Sequence, residues 1–317
     1  MTTEKKSKPR WRRWLKRALI SIAILFIVLV FGVLPYLLAV LTTSAKTRGP
    51  DRALTETPAT LGAQFRDVEF QTSDGVRISA WLLPSRGKRA TIIYSHGLFR
   101  SRRELLSRAV DLWNRGFGAL LYDSRNHGES GQARVTLGYN ERLDAEAAVR
   151  FLRQETDDRI VLFGISMGAA AALLAAAETE EVAAVISDSA FLSFRDTTDH
   201  HVRVFLKLPA FPLANEVRFF IEYRAEIDGE KLDMLDAVKR LGQRPALFIA
   251  GARDRRMPPD IAQKLFAASA SSKRDLLILE GAETATHGHA YQADREAYIN
   301  RIADFLQSAL AGEVVKE

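Results

Sequence analysis

A single serine stands between two glycines in Gly164-Ile165-Ser166-Met167-Gly168, where the apolar run IVLF gives way to an alanine-rich stretch. A serine hydroxyl is a weak nucleophile until a base takes its proton and an acid orients that base. Both partners are available further along the chain. Asp254 follows the apolar run PALFIAG, and His287 and His289 follow DLLILEG. Ser166 with Asp254 and one of these histidines would make an acyl-transfer site, in which the attacked carbonyl oxygen also needs two donors. The Met167 amide, at the start of the alanine-rich helix, is one candidate. The Leu98 amide, in the loop His96-Gly97-Leu98, is the other.

Each of these residues also has a plainer reading. Gly and Ser are common turn formers, so the five-residue pattern gains weight only with a strand before it and a helix after it. Asp254 could cap its loop or pair with Arg253, Arg255 and Arg256. Asp188 ends another strand and is the second choice for the acid, whereas Asp123 is expected to pin the DSRNHGES turn. His96 reads as a residue that holds its loop. His200-His201 and the His287/His289 pair match no metal-binding helix spacing, so no metal site and no cofactor are expected.

The elements that must position these residues are legible as alternating patterns. FRDVEFQT and VRISAWLL, joined through Ser73-Asp74-Gly75, predict an antiparallel pair. Then ATIIYSHG, FGALLYD, IVLFG, VAAVISD, PALFIAG and DLLILEG alternate with amphipathic stretches. That alternation predicts an α/β fold, a mostly parallel twisted sheet with helices on both faces. The first of the helices, SRRELLSRAVDLWNRG, has capping-box spacing at Ser101 and Glu104. In such sheets sites form at the carboxyl ends of the strands, and the order Ser, acid, His fits that arrangement. Residues 190–236 break the rhythm with aromatic and proline-rich patches, and are expected to form a lid-like insertion.

The amino-terminal region has a different character. Residues 1–17 carry eight basic side chains against one acid, a net +7, so the rest of the chain stands at −1 within a total of +6. The basicity belongs to this tail, which argues against a nucleic-acid partner. Residues 18–41 follow without a charge, long enough to cross a bilayer as a helix. The run is longer than a signal-peptide core and its exit, LTTSAKT, fits a cleavage site poorly. A signal anchor is expected, with the tail cytoplasmic, residues 42–62 as a linker and residues 63–312 as an extracytoplasmic domain. The absence of cysteine excludes disulfides and lipid attachment through cysteine.

Taken together, SHGLFRSR, LLYDSRNHGESG, GISMG and GARDRRMPPD resemble the alpha/beta-hydrolase superfamily, close to its monoacylglycerol-lipase-like and membrane-anchored esterase branches. The resemblance spans about Phe65 to Ala311 and implies a serine hydrolase without cofactors, with Ser166 as nucleophile, Asp254 as acid and a histidine of THGHAY as base. In similar sequences that histidine lies four residues before a tyrosine, which favours His287, before Tyr291, over His289. The four residues separating Gly281-Ala282 from His287 exceed the usual one or two, which leaves the choice of histidine open. The expected activity is hydrolysis of a carboxylic ester, with an acyl lipid or other hydrophobic ester as substrate. A peptidase with the same triad and a non-catalytic binding module of the same fold are the alternatives.

Overall fold

The computed structural model describes residues 10–280 and 285–311. Residues 1–9 of the basic tail, 281–284 of the histidine loop and position 312 therefore lie outside the described residues. Eight strands form one sheet: β1 (Arg66–Gln71), β2 (Arg77–Leu83), β3 (Ala90–Ser95), β4 (Gly118–Tyr122), β5 (Arg159–Ile165), β6 (Val182–Asp188), β7 (Ala246–Gly251) and β8 (Arg274–Leu279). Their spatial order is β1-β2-β4-β3-β5-β6-β7-β8. β2 runs antiparallel to both neighbours, and all other pairs are parallel.

The central strands are buried on both faces, which is why they read as unbroken apolar runs. Successive side chains alternate between two cores. Ile93, Leu120 and Leu162 pack with Ala169 and Leu173 on one face. Ile92, Leu121 and Val161 pack with Ala109, Leu112, Ile302 and Phe305 on the other. The chain leaves β3 toward β4 on one side and lies beside β5 on the other, so the strand order reverses there. A crevice opens at such a point, beyond the carboxyl ends of β3 and β5.

A continuous helix of 34 residues, Arg10–Thr43, precedes the sheet and is long and apolar enough to cross a membrane. It is longer than residues 18–41 alone, and none of Arg10–Val28 is buried. Its middle widens into a π-helical turn at Leu29–Val33, just before Pro35. Proline lacks an N–H and crowds the carbonyl one turn back, and a local change of hydrogen-bond register relieves both. The last turns, Leu34–Thr43, bury Pro35, Ala39 and Thr43.

Residues 42–62, expected as a polar linker, are docked on the sheet domain. Arg48 N–H donates to the Phe99 carbonyl at 2.9 Å. Thr47 donates to the Arg100 carbonyl and accepts from Gly128 N–H, each at 2.8 Å. The stretch between β6 and β7 folds into helices Phe194–His201, Leu213–Ala225 and Met234–Arg240.

The capping box expected at Ser101 and Glu104 does not form. Ser101 Oγ accepts only a long bond from Arg103 N–H. The Glu104 carboxylate instead takes Gly97 N–H at 2.7 Å and Arg100 at 2.9 Å. A free amide in a buried loop is the stronger partner, because leaving it unpaired costs about 1–3 kcal/mol.

Candidate active site

Ser166 sits between β5 and the helix Met167–Glu178 with φ 55° and ψ −115°, a conformation that non-glycine residues rarely adopt. Strain of this kind costs on the order of 1–3 kcal/mol and persists only where its surroundings enforce it. Here they do. A Cβ on Gly164 would overlap the backbone of Gly168, and a Cβ on Gly168 would overlap the carbonyls of Ser95 and His96. Strand and helix therefore approach too closely for any side chain at these positions. Ser166 N–H is fixed to the Asp188 carbonyl at 3.0 Å, and its own carbonyl accepts from Ala169 and Ala170. The turn lifts the hydroxyl out of the sheet.

His287 Nε2 lies 2.9 Å from Ser166 Oγ, and His287 Nδ1 lies 2.8 Å from Asp254 Oδ2. Asp254 is buried, and its other oxygen accepts from Arg256 and Met257 N–H groups, each at 2.8 Å. An ionised carboxylate only accepts, so Nδ1 carries the imidazole proton and Nε2 is free to accept from the serine. The three residues thus come together from the ends of β5, β7 and β8.

The other candidates are engaged elsewhere. His289 is exposed, with Nδ1 2.8 Å from the His287 carbonyl. Asp188 is buried and accepts from Tyr298 at 2.7 Å and Ser189 at 2.8 Å. Its burial pushes the carboxyl upward, away from the role of a charged orienting acid. Asp123 accepts from Arg102 and Glu129 N–H groups and so holds its turn. Among the described residues no group of three or more His, Asp or Glu is placed to hold a metal ion.

The loop after β3 is fixed from both sides. His96 Nδ1 meets the Gly97 carbonyl at 2.8 Å while Nε2 accepts from Ser124 N–H at 3.0 Å, so this histidine is a loop-holding residue. Glu104 occupies Gly97 N–H, and His127 Nε2 accepts from Phe99 N–H at 3.3 Å. The Leu98 amide lies between two committed neighbours. Met167 N–H is at the first turn of its helix, where amides have no intrahelical acceptor.

His127 also gives this loop a pH dependence. Burial, with His96 beside it, pushes its imidazole from 6.5 down to about 3. Below about pH 6.5 the unfolded chain takes up a proton that the folded chain refuses. The stability from neutral His127 is complete above that value and is lost as pH falls toward 3, at about 1.4 kcal/mol per pH unit. His127→Gln should flatten the slope of urea-unfolding stability between pH 4 and 6. A variant with the wild-type slope would refute this.

Ser166 and His287 open onto a cavity of about 430 Å³. Its walls are largely apolar, with Phe191, Phe205, Val217 and Ile221 from the stretch between β6 and β7. Leu38 and Thr42, from the end of the N-terminal helix, also line it. Sequence reasoning did not assign those two residues to the site, nor Arg108. Buried Arg108 reaches from the helix Leu106–Asn114 to the Gly288 carbonyl at 2.8 Å and so braces the histidine loop. An arginine on the buried side of an amphipathic stretch was the available signal.

A family model described as serine aminopeptidase, S33, matches residues 86–220. An uncharacterized protein of Mycobacterium tuberculosis, MT2364, is 30% identical over 218 residues, 67% of this chain and 70% of the relative. The alpha/beta hydrolase domain-containing protein WAV2 of Arabidopsis thaliana is 26% identical over 270 residues, 79% of this chain and 81% of the relative. Among solved structures, the Pyrococcus furiosus esterase Pf2001 superposes with a TM-score of 0.68 at 27% identity. That match covers 83% of this chain and 97% of the esterase.

Proposed function

The chain belongs to the alpha/beta-hydrolase superfamily, and from that premise we propose that it is a membrane-anchored serine hydrolase of carboxylic esters. The hydrogen-bonded sequence from Ser166 through His287 to Asp254, at 2.9 and 2.8 Å, carries this reading. Likeness to an esterase supports the ester as the substrate class.

In this reading Ser166 Oγ attacks the acyl carbonyl as its proton passes to His287 Nε2. The Leu98 and Met167 amides stabilise the developing oxyanion. Asp254 holds the imidazolium that forms. His287 then gives its proton to the departing alkoxide, and water repeats the sequence on the acyl-enzyme. No cofactor is required. The peptidase alternative is less well supported. An aminopeptidase needs a free carboxylate for the substrate amine, and Glu104, the acid among the described cavity residues, is spent on Gly97 and Arg100.

A fluorophosphonate should label the folded wild-type protein at one site, and peptide mapping should place the adduct on Ser166. Unlabelled folded protein, or an adduct on another serine, would refute the assignment.

Membrane anchoring is supported by the apolar helix, whose amino-terminal end bears Arg10, Arg12, Arg13, Lys16 and Arg17. Basic flanks stay cytoplasmic, so the hydrolase domain is proposed to be extracytoplasmic, with residues 190–236 serving as a lid. Protease added to cells with an opened outer barrier should digest the domain. Complete protection would reverse the orientation.

A further inference from the structure

The N-terminal helix and the cavity are not separate features. Leu38 and Thr42 line the same space as Ser166 and His287. The helix end is fastened there rather than resting loosely. Tyr36 meets Phe220 edge-on at 5.5 Å. Arg224 binds Thr43 Oγ1 at 3.1 Å and the Tyr36 hydroxyl at 3.2 Å. Val135 N–H donates to the Thr43 carbonyl at 3.0 Å. The wall is therefore held by side-chain and backbone contacts to the helix Leu213–Ala225 and to Val135.

Length sets where this wall stands. The helix of 34 residues extends roughly 50 Å, against about 30 Å of hydrocarbon in a bilayer. Its basic end, Arg10 to Arg17, stays outside the lipid, so about 20 residues from Ala18 fill the hydrocarbon and the last turns stand where the span leaves it. There the two packed helices leave large apolar side chains in the open, Leu37 and Leu41 on one, Phe219 and Tyr223 on the other. Phe211, on the adjoining loop, is 75% exposed. Scattered exposed apolar residues need no partner, but a patch continuous with a membrane span has one at hand.

We propose that the closing turns of the N-terminal helix form one wall of an acyl-chain subsite that opens toward the bilayer. The substrate is then an ester borne by lipid, its acyl chain lying along Leu38 and Thr42 between the anchor and the helix Leu213–Ala225. The anchor is thus a determinant of specificity as well as a tether. This rests on the reading of Ser166 as an ester-hydrolase nucleophile.

Two measurements on the full-length protein in phosphatidylcholine nanodiscs test the proposal. In the first, labelling rates are compared for a dodecyl and an ethyl fluorophosphonate. Leu38→Trp fills the subsite and should lower the dodecyl-to-ethyl rate ratio by about tenfold or more. Leu38→Phe, which adds less volume, should shift it the same way by about threefold. A ratio unchanged in both variants overturns the subsite and leaves Ser166 in its role. Wild-type protein labelled by neither probe instead removes the underlying reading, and the proposal with it.

The second measurement needs no activity. The chain has no cysteine, so Phe219→Cys and Tyr223→Cys each accept a single nitroxide label. Oxygen should relax these labels more strongly than a water-soluble nickel chelate does. Labels as accessible to the chelate as one at exposed Glu230 would overturn the opening toward the bilayer.

Discussion

Asp254→Asn is expected to lower kcat by about four orders of magnitude while the protein stays folded. The reason lies in the two ends of the carboxylate. One oxygen already accepts from the Arg256 and Met257 amides, so an asparagine would keep its carbonyl there. Its NH2 would then face His287 Nδ1. That nitrogen would have to give up its proton and accept, leaving the proton on Nε2, which faces Ser166. A protonated Nε2 cannot take the serine proton, so the imidazole is held in the wrong tautomer. The two loop amides remain satisfied, which is why stability should change little. The check is steady-state hydrolysis of a short ester beside thermal unfolding. His289→Gln, which alters an exposed side chain with no contact to Ser166, should stay within about threefold of wild type. Activity of Asp254→Asn within tenfold of wild type would remove Asp254 from the proposed role.

The proposed nucleophile, acid and base stood out in the sequence because each follows an apolar strand, and strand ends in a parallel sheet converge on one rim. Ser166 carried the extra signal of two glycines, which the close approach of β5, the following helix and β3 requires. The choice between His287 and His289 was only partly legible. A single residue, Gly288, separates them, and which side chain turns inward depends on a loop held by Arg108 and Ala285. Ala285 is buried, and its carbonyl accepts from Arg253 N–H at 2.9 Å. Glu104 was misread for a different reason. Its spacing from Ser101 obeys a local rule, yet a distant loop amide outcompetes the local partner. Leu38 and Thr42 were the least legible. A leucine that faces lipid and one that faces a cavity are written identically, and only the packing of one helix on another separates them. The docking of residues 42–62 was hidden likewise, since threonine and arginine there bond to carbonyls whose positions depend on the finished fold.

Gly168→Ala is the change expected to damage both fold and site, although it adds one methyl group. The new Cβ would overlap the carbonyl groups of Ser95 and His96 at the end of β3. That strand is fully buried and paired on both sides, so it cannot yield. The helix Met167–Glu178 must lift instead, and it is packed just as tightly. Overpacking of this kind costs about 3 kcal/mol. For a domain of this size that corresponds to a thermal midpoint lower by roughly 6–12 °C. The lift also carries Ser166 away from His287, and a displacement near 1 Å is enough to cost about a hundredfold in rate. The ethyl fluorophosphonate labelling rate should therefore fall by about that factor in protein that is still folded. Gly49→Ala is the matched control, because a Cβ there meets nothing within 4 Å. It should leave both the midpoint and the labelling rate close to wild type. If Gly168→Ala behaves like that control, close strand–helix approach is not what holds Ser166 in its strained conformation.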